Sequence, residues 1–182
     1  MKKRFIAFAV LSTMLFSSSA FAQESTINNT QLAVSANSSD ENVTIEDINS
    51  PEDFSKNFVE FDSSNVLTDA ITRGTSIPTS VKDLGADTDT QSYSFVNYIY
   101  SNYKYIPDGS SIDFGFSPTT TANATLTLYN ANTGSIVATR SLSFTKNTWR
   151  GFKISNLSKS NRYYFKLTST NGSRVSGTYV IG

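Results

Sequence analysis

TLTLYNANTGSIVATRSLSF, residues 125–144, decides the fold class. Leu126 and Leu128 alternate with Thr125, Thr127 and Tyr129, and Asn130-Ala131-Asn132-Thr133-Gly134 is a run of turn formers. From Ser135 to Phe144, Ile136, Ala138, Leu142 and Phe144 share one phase. An apolar residue at every second position puts one face of a strand on a core and the other in water. Arg140 falls in the apolar phase, which predicts a side chain at the sheet rim with its stem packed and its head in water.

The same period extends outward on both sides. Ile112, Phe114 and Phe116 alternate with Asp113, Gly115 and Ser117; downstream come Phe152 and Ile154, then Tyr163, Phe165 and Leu167. Pro107-Asp108-Gly109 and Thr170-Asn171-Gly172-Ser173 separate the runs. The Asn171-Gly172 pair is a hairpin signal, because both residues tolerate positive φ. About seven short strands divided by such turns predict an all-β fold, a single antiparallel β-sandwich over residues 91–182.

Tyr93, Phe95, Tyr98, Tyr100, Tyr103 and Tyr105 form a denser aromatic run whose phase changes between Phe95 and Tyr98 and again between Tyr100 and Tyr103. One flat strand cannot bury all of these rings. Either a bulge or turn near Ser101-Asn102 re-aims some of them, or several lie on the surface.

Upstream, composition changes abruptly. Residues 23–90 hold thirteen acidic against three basic side chains, a net charge of −10, whereas residues 91–182 hold two against nine, a net of +7. All nine tyrosines and Trp149 fall in the basic part. So few large apolar residues cannot offset the ordering entropy, so residues 23–90 are expected to form a mostly disordered acidic arm. One local exception is a short helix over 51–62. Ser50 and Pro51 make a helix start, Glu52 and Asp53 the acidic first turn, and Phe54, Phe58 and Phe61 one face. Opposite charges tethered together predict that this face lies on the basic sandwich.

Met1-Lys2-Lys3-Arg4, an apolar run from Phe5 to Phe16, and Ala20-Phe21-Ala22 have the three parts of a signal peptide over residues 1–22. The run is shorter than the ~20 residues that span a bilayer. The mature chain is thus expected to be secreted, or periplasmic in a Gram-negative cell, without a stable membrane anchor. With no cysteine in the sequence, its stability rests on a hydrophobic core and not on disulfides.

Leu157-Ser-Lys-Ser-Asn-Arg-Tyr163-Tyr-Phe165 resembles the fibronectin type III pattern, in which a leucine precedes by six residues a tyrosine anchoring the corner before the penultimate strand. Tyr93-Ser94-Phe95, Leu126 to Asn130 with Gly134, and Tyr163 to Tyr179 also resemble bacterial pre-peptidase C-terminal domains. Both are non-catalytic sandwich modules of secreted bacterial proteins. The resemblance implies a binding module and a Tyr163 hydroxyl bonded to backbone near Leu157.

Histidine and cysteine are both absent, which removes imidazole-dependent nucleophile systems and most zinc and copper sites. Asp108 reads as a turn residue and Asp113 as a solvated or salt-bridged surface group, so no catalytic, cofactor-binding or metal-binding residue is assigned and an enzyme ranks third. Asp83, Asp87 and Asp89 around Gly85 fit no complete calcium loop. Candidate ligand-surface residues are Trp149, Arg150 and Lys153, for stacking and charge, with Tyr98, Tyr100, Tyr103 and Tyr105. The expected function is a secreted, non-catalytic binding or surface-associated protein for anionic polysaccharide, teichoic acid or extracellular DNA. The alternative is a protein-directed module, such as an inhibitor, toxin or matrix component, with the acidic arm as propeptide.

Overall fold

The alternating runs do form strands, and they pack as two sheets face to face. The computed structural model describes residues 42–54 and 74–182; the expected signal peptide and residues Phe58 and Phe61 lie outside them. In chain order the strands are β1 (Thr44–Ile48), β2 (Val81–Asp83), β3 (Asp89–Phe95), β4 (Tyr98–Tyr100), β5 (Lys104–Ile106) and β6 (Ile112–Pro118). They continue as β7 (Ala122–Asn130), β8 (Ile136–Phe144), β9 (Arg150–Ser155), β10 (Tyr163–Ser169) and β11 (Val175–Ile181). The first sheet runs β1-β9-β6-β11-β3; the second runs β2-β5-β10-β7-β8, with β4 also on β10. Pairing is antiparallel throughout except for β2 with β5, which is parallel.

The core is an aromatic layer between the sheets. Phe114 stacks on Phe152 at 5.0 Å, Phe165 meets Tyr179 edge-on at 5.3 Å, and Phe116 lies 5.5 Å from Phe144. Burying such rings is the main stabilising term, and offset or edge geometry adds about 0.5–1.5 kcal/mol per pair. One polar bridge crosses this layer. The Tyr105 hydroxyl donates to Asp89 Oδ2 at 2.6 Å, Gln91 Nε2 donates to Asp89 Oδ1 at 2.8 Å, and Tyr179 is coupled to Tyr105. Asp89 and Tyr179 belong to the first sheet and Tyr105 to the second, so the bridge fixes how the two sheets register.

Several local expectations change here. The aromatic run is three strands: the chain leaves the first sheet after Phe95 and enters the second at Tyr98, then bends again at Ser101 before β5. Buried Ser101 holds that second bend, its hydroxyl donating to the Tyr103 carbonyl at 2.9 Å and accepting from the Phe165 N–H at 3.2 Å. Ile136 is not in the core. Leu128 pairs with Ala138 but Tyr129 pairs with Ile136, a bulge at Val137 that turns Ile136 outward, 37% exposed. Asn171-Gly172 makes a turn, with Gly172 at φ 69°, but β10 and β11 belong to different sheets, so this turn crosses between layers and closes no hairpin. Asp113 has its expected ion pair, with Lys153 Nζ 3.6 Å from its Oδ1, but the carboxylate is buried at 1% exposure and only the lysine reaches the surface.

Two stretches of the acidic region join the sandwich, which therefore begins well upstream of Gln91. β1 pairs with β9 in the register Thr44–Ser155 to Ile48–Gly151, and Leu84 and Asp89 are buried. The helix expected over 51–62 is, in its described part, a 3₁₀ turn at Pro51–Asp53, after which Phe54 is extended (φ −69°, ψ 126°) and buried. The Ser50 hydroxyl donates to the Asp53 carboxylate instead of capping backbone N–H groups, so no helix start is secured.

Candidate functional site: the outer face of the six-stranded sheet

Residues facing away from the core on β4, β7 and β10 bring four tyrosines together. In β10, Tyr163, Phe165 and Leu167 point inward, which leaves Tyr164, Lys166 and Thr168 on the outside. Register places Tyr129 beside Tyr164, Tyr100 beside Lys166, and Tyr98 beside Thr168. Tyr129 and Tyr164 stack at 5.0 Å with 9° between planes; Tyr100 lies 5.9 Å from Tyr164 and Tyr98 lies 5.8 Å from Tyr100. The result is a continuous aromatic strip across three strands.

Lys166 lies over this strip, its Nζ 4.3 Å from the Tyr98 ring centre and 5.8 Å from that of Tyr100. Among the described residues no carboxylate forms an ion pair with it. A cation over a ring face is held by the ring quadrupole and keeps its charge for an anion. Burial, then the neighbouring Tyr100 hydroxyl, pushes the Tyr129 phenol above its ordinary value. Tyr164 is raised in the same order by burial, Tyr100 and Tyr129. All three hydroxyls thus share one neighbourhood, where they can donate and accept hydrogen bonds. Rings to stack on, hydroxyls to hydrogen-bond and one cation together suit a ring-containing polar ligand with negative charge.

The seven sequence-selected residues divide between places. Tyr98 and Tyr100 belong to the strip. Tyr103 is half-buried against the core, 6.4 Å from Tyr105, with Lys82 Nζ 5.7 Å from its ring centre. Tyr105 is fully buried in the Asp89 bridge and presents no surface, because the bend at Ser101 returns its phase to the core. Burial, then Tyr179 and Asp89, raises its phenol well above the ordinary range.

Trp149, Arg150 and Lys153 lie on the other sheet. The Trp149 ring rests on the outer side of Gly151 and Gly115, where a Cβ at Gly151 would stand 2.0 Å from Trp149 Cη2. The Phe54 ring sits beside it, 3.3 Å from a Cβ built at Gly115 and 3.0 Å from one built at Gly182. Lys153 is flanked in register by Glu46 and Asp113. Arg150 is exposed but shares the phase of Phe152, so it does not join Lys153 on the outer face. The arm has closed this surface.

Tyr129, Tyr164 and Lys166 were missed as site residues, although phase turns them outward: each is out of step with the buried Leu128, Phe165 and Leu167, and Tyr164 is packed down to 6% exposure between Tyr100 and Tyr129. The aspartates near Gly85 also separate. Asp83 accepts from the Gly85 N–H at 2.8 Å, Asp87 pairs with Lys82 at 3.1 Å, and Asp89 faces the core. Among the described residues no three His, Cys, Asp or Glu side chains are grouped to hold a metal ion, and no helix is long and apolar enough to cross a membrane. Comparison of the chain with protein-family models, curated proteins and solved structures found no match.

Proposed function

We propose that this is a secreted, non-catalytic binding module for anionic cell-wall or matrix polymers, using the outer face of the six-stranded sheet. The observation that carries this reading is the strip Tyr98–Tyr100–Tyr164–Tyr129 with Lys166 over its rings. Stacking on a rigid sheet costs little ordering entropy, and lysine supplies the charge that an uncharged sugar site lacks. Anionic polysaccharide, teichoic acid and extracellular DNA all offer rings or ring-like repeats beside negative charge. Signal-peptide export and a fibronectin-like origin belong to the same proposal. The Tyr163 hydroxyl supports the latter, accepting from the Ser158 N–H at 3.0 Å next to Leu157. The reading of the arm as a removable propeptide is disfavoured, since its removal would strip β1 and Phe54 from the sandwich.

Binding of the exported chain to each polymer, followed by calorimetry at low and physiological salt, tests the proposal. Tyr98→Ala and Tyr100→Ala should each weaken binding about 5- to 150-fold, in keeping with ~1–3 kcal/mol per stacked ring. Lys166→Ala should lower the salt dependence by about one charge. Undiminished binding by the triple variant would exclude this face as the site.

A further inference from the structure

We infer that the edge slot filled by residues 42–54 also accepts the same segment from a second copy of the chain, so that copies assemble by exchanging β1. This inference is independent of the polymer-binding reading.

The slot is defined by what occupies it. β1 has one neighbour, β9, and forms the edge of its sheet; the other strands keep their partners without it. Its alternation leaves Thr44, Glu46 and Asp47 exposed, while Val43 and Ile45 pack partly buried against the core. Four further anchors hold the segment. Backbone pairing runs along β9. Asn156, held at φ 64°, donates through Nδ2 to the Asn42 carbonyl at 3.2 Å and to Thr44 Oγ1 at 3.0 Å. Asp47 pairs with Arg140 of the opposite sheet. Phe54 fills the depression floored by Gly115 and Gly182, beside Trp149. Every anchor joins the segment to residues at least sixty positions away in sequence, and none depends on which chain carries the segment.

The vacant slot would be a liability. Without β1, β9 is an unpaired edge with N–H and C=O groups open to any extended segment. The best-fitting segment available is the one already matched to it, and identical copies carry it at equal concentration. Connection length permits both arrangements. Residues 55–73 join Phe54 to Gly74 and span about 60 Å if extended at ~3.3 Å per residue, enough to reach a neighbour. The contacts being the same, intrachain and interchain pairing differ only in that the first is tethered, and a short tether acts as an effective concentration of millimolar order. Folding at comparable protein concentration should populate the exchanged form.

Cysteine trapping tests this in the full chain, which has no cysteine of its own. Thr44 and Ser155 are paired in register and neither is buried, so T44C and S155C place thiols about 5 Å apart across the strands. The two single variants are unfolded together, refolded at about 1 mM, the order set by the tether, and treated with a short bis-maleimide. Exchange predicts a T44C–S155C cross-linked dimer at least tenfold more abundant than either homodimer, and falling in proportion when refolding is done a hundredfold more dilute. A mixed dimer no more abundant than the homodimers overturns the inference. So does failure of the T44C/S155C double variant to cross-link at all, since β1 would then not lie on β9.

Discussion

The two outer faces of this sandwich are built from similar strands and end up opposite in character. On the five-stranded sheet, Gly115 and Gly151 leave a depression that Trp149 and Phe54 fill, while Glu46 and Asp113 flank Lys153. On the six-stranded sheet, tyrosines replace glycines at the outward positions and pack on one another, with Lys166 over Tyr98 and beside Tyr100. A glycine floor invites a covering element, because bare backbone and an apolar hollow are poorly solvated; a tyrosine floor covers itself. The difference between a closed face and a presented one is thus written in a few outward-facing residues.

The comparison is broken most severely by removing the cover. A chain beginning at Gln91 loses Phe54, Leu84 and the Asp89 partner of Tyr105, all buried. At about 2–5 kcal/mol for each large apolar side chain, the loss rivals the whole stability of a small domain. Near-ultraviolet circular dichroism of this truncated chain should show no fixed aromatic packing.

A milder cut at the same face is Phe54→Ala, which should lower stability by about 3 kcal/mol in urea unfolding, the low end for a buried phenylalanine. A loss below about 1 kcal/mol would mean that the cover contributes little. At the corner before β10, Tyr163→Phe should cost about 2 kcal/mol by leaving the Ser158 N–H without its acceptor.

Alkaline pH separates core tyrosines from outer ones. Burial raises the Tyr93 and Tyr105 phenols far above the ordinary 10, and Tyr129 and Tyr164 are also raised. A phenol whose folded pKa is raised binds its proton more tightly than in the unfolded chain, so its contribution is complete below pH 10 and declines as pH climbs beyond it. Stability should therefore fall above about pH 10. In absorbance titration Tyr93 and Tyr105 should ionise only as the protein unfolds; their ionisation while the fold is intact would contradict the buried placement.

The smallest effect sharpens the contrast. Tyr100→Ala should change stability by under about 1 kcal/mol, the scale of an exposed cross-strand pair, while weakening ligand binding. A stability loss as large as that of Phe54→Ala would make the tyrosine strip a structural cover as well.

Much of this was legible in the sequence because it depends on neighbours. Period-two alternation identified β6, β7, β9 and β10, and Pro107-Asp108-Gly109 and Asn130 to Gly134 marked real turns, with Gly109 and Gly134 at φ 63° and 76°. The tyrosine phase changes announced a break near Ser101, and Trp149 stood correctly on the phase opposite Phe152. Of the four tyrosines named for the candidate surface, Tyr98 and Tyr100 face outward as neighbours of buried Ile99; the sequence did not separate them from Tyr103 and Tyr105.

What depended on distant partners was decided only by the tertiary structure. The alternation of Val43 and Ile45 with Thr44 and Glu46 is too short to announce a strand; it becomes one because an open edge more than a hundred residues away accepts it and lets Val43 and Ile45 pack on the core. The extra residue at Val137 reverses the phase of Ile136 only once β7 sets the register. The burial of Asp89 and Asp113 appears only when Tyr105 and Lys153 are brought against them from other strands. Alternation fixes which side of a strand is apolar; which sheet that side meets, and what lies over the other side, is settled by pairing across the fold.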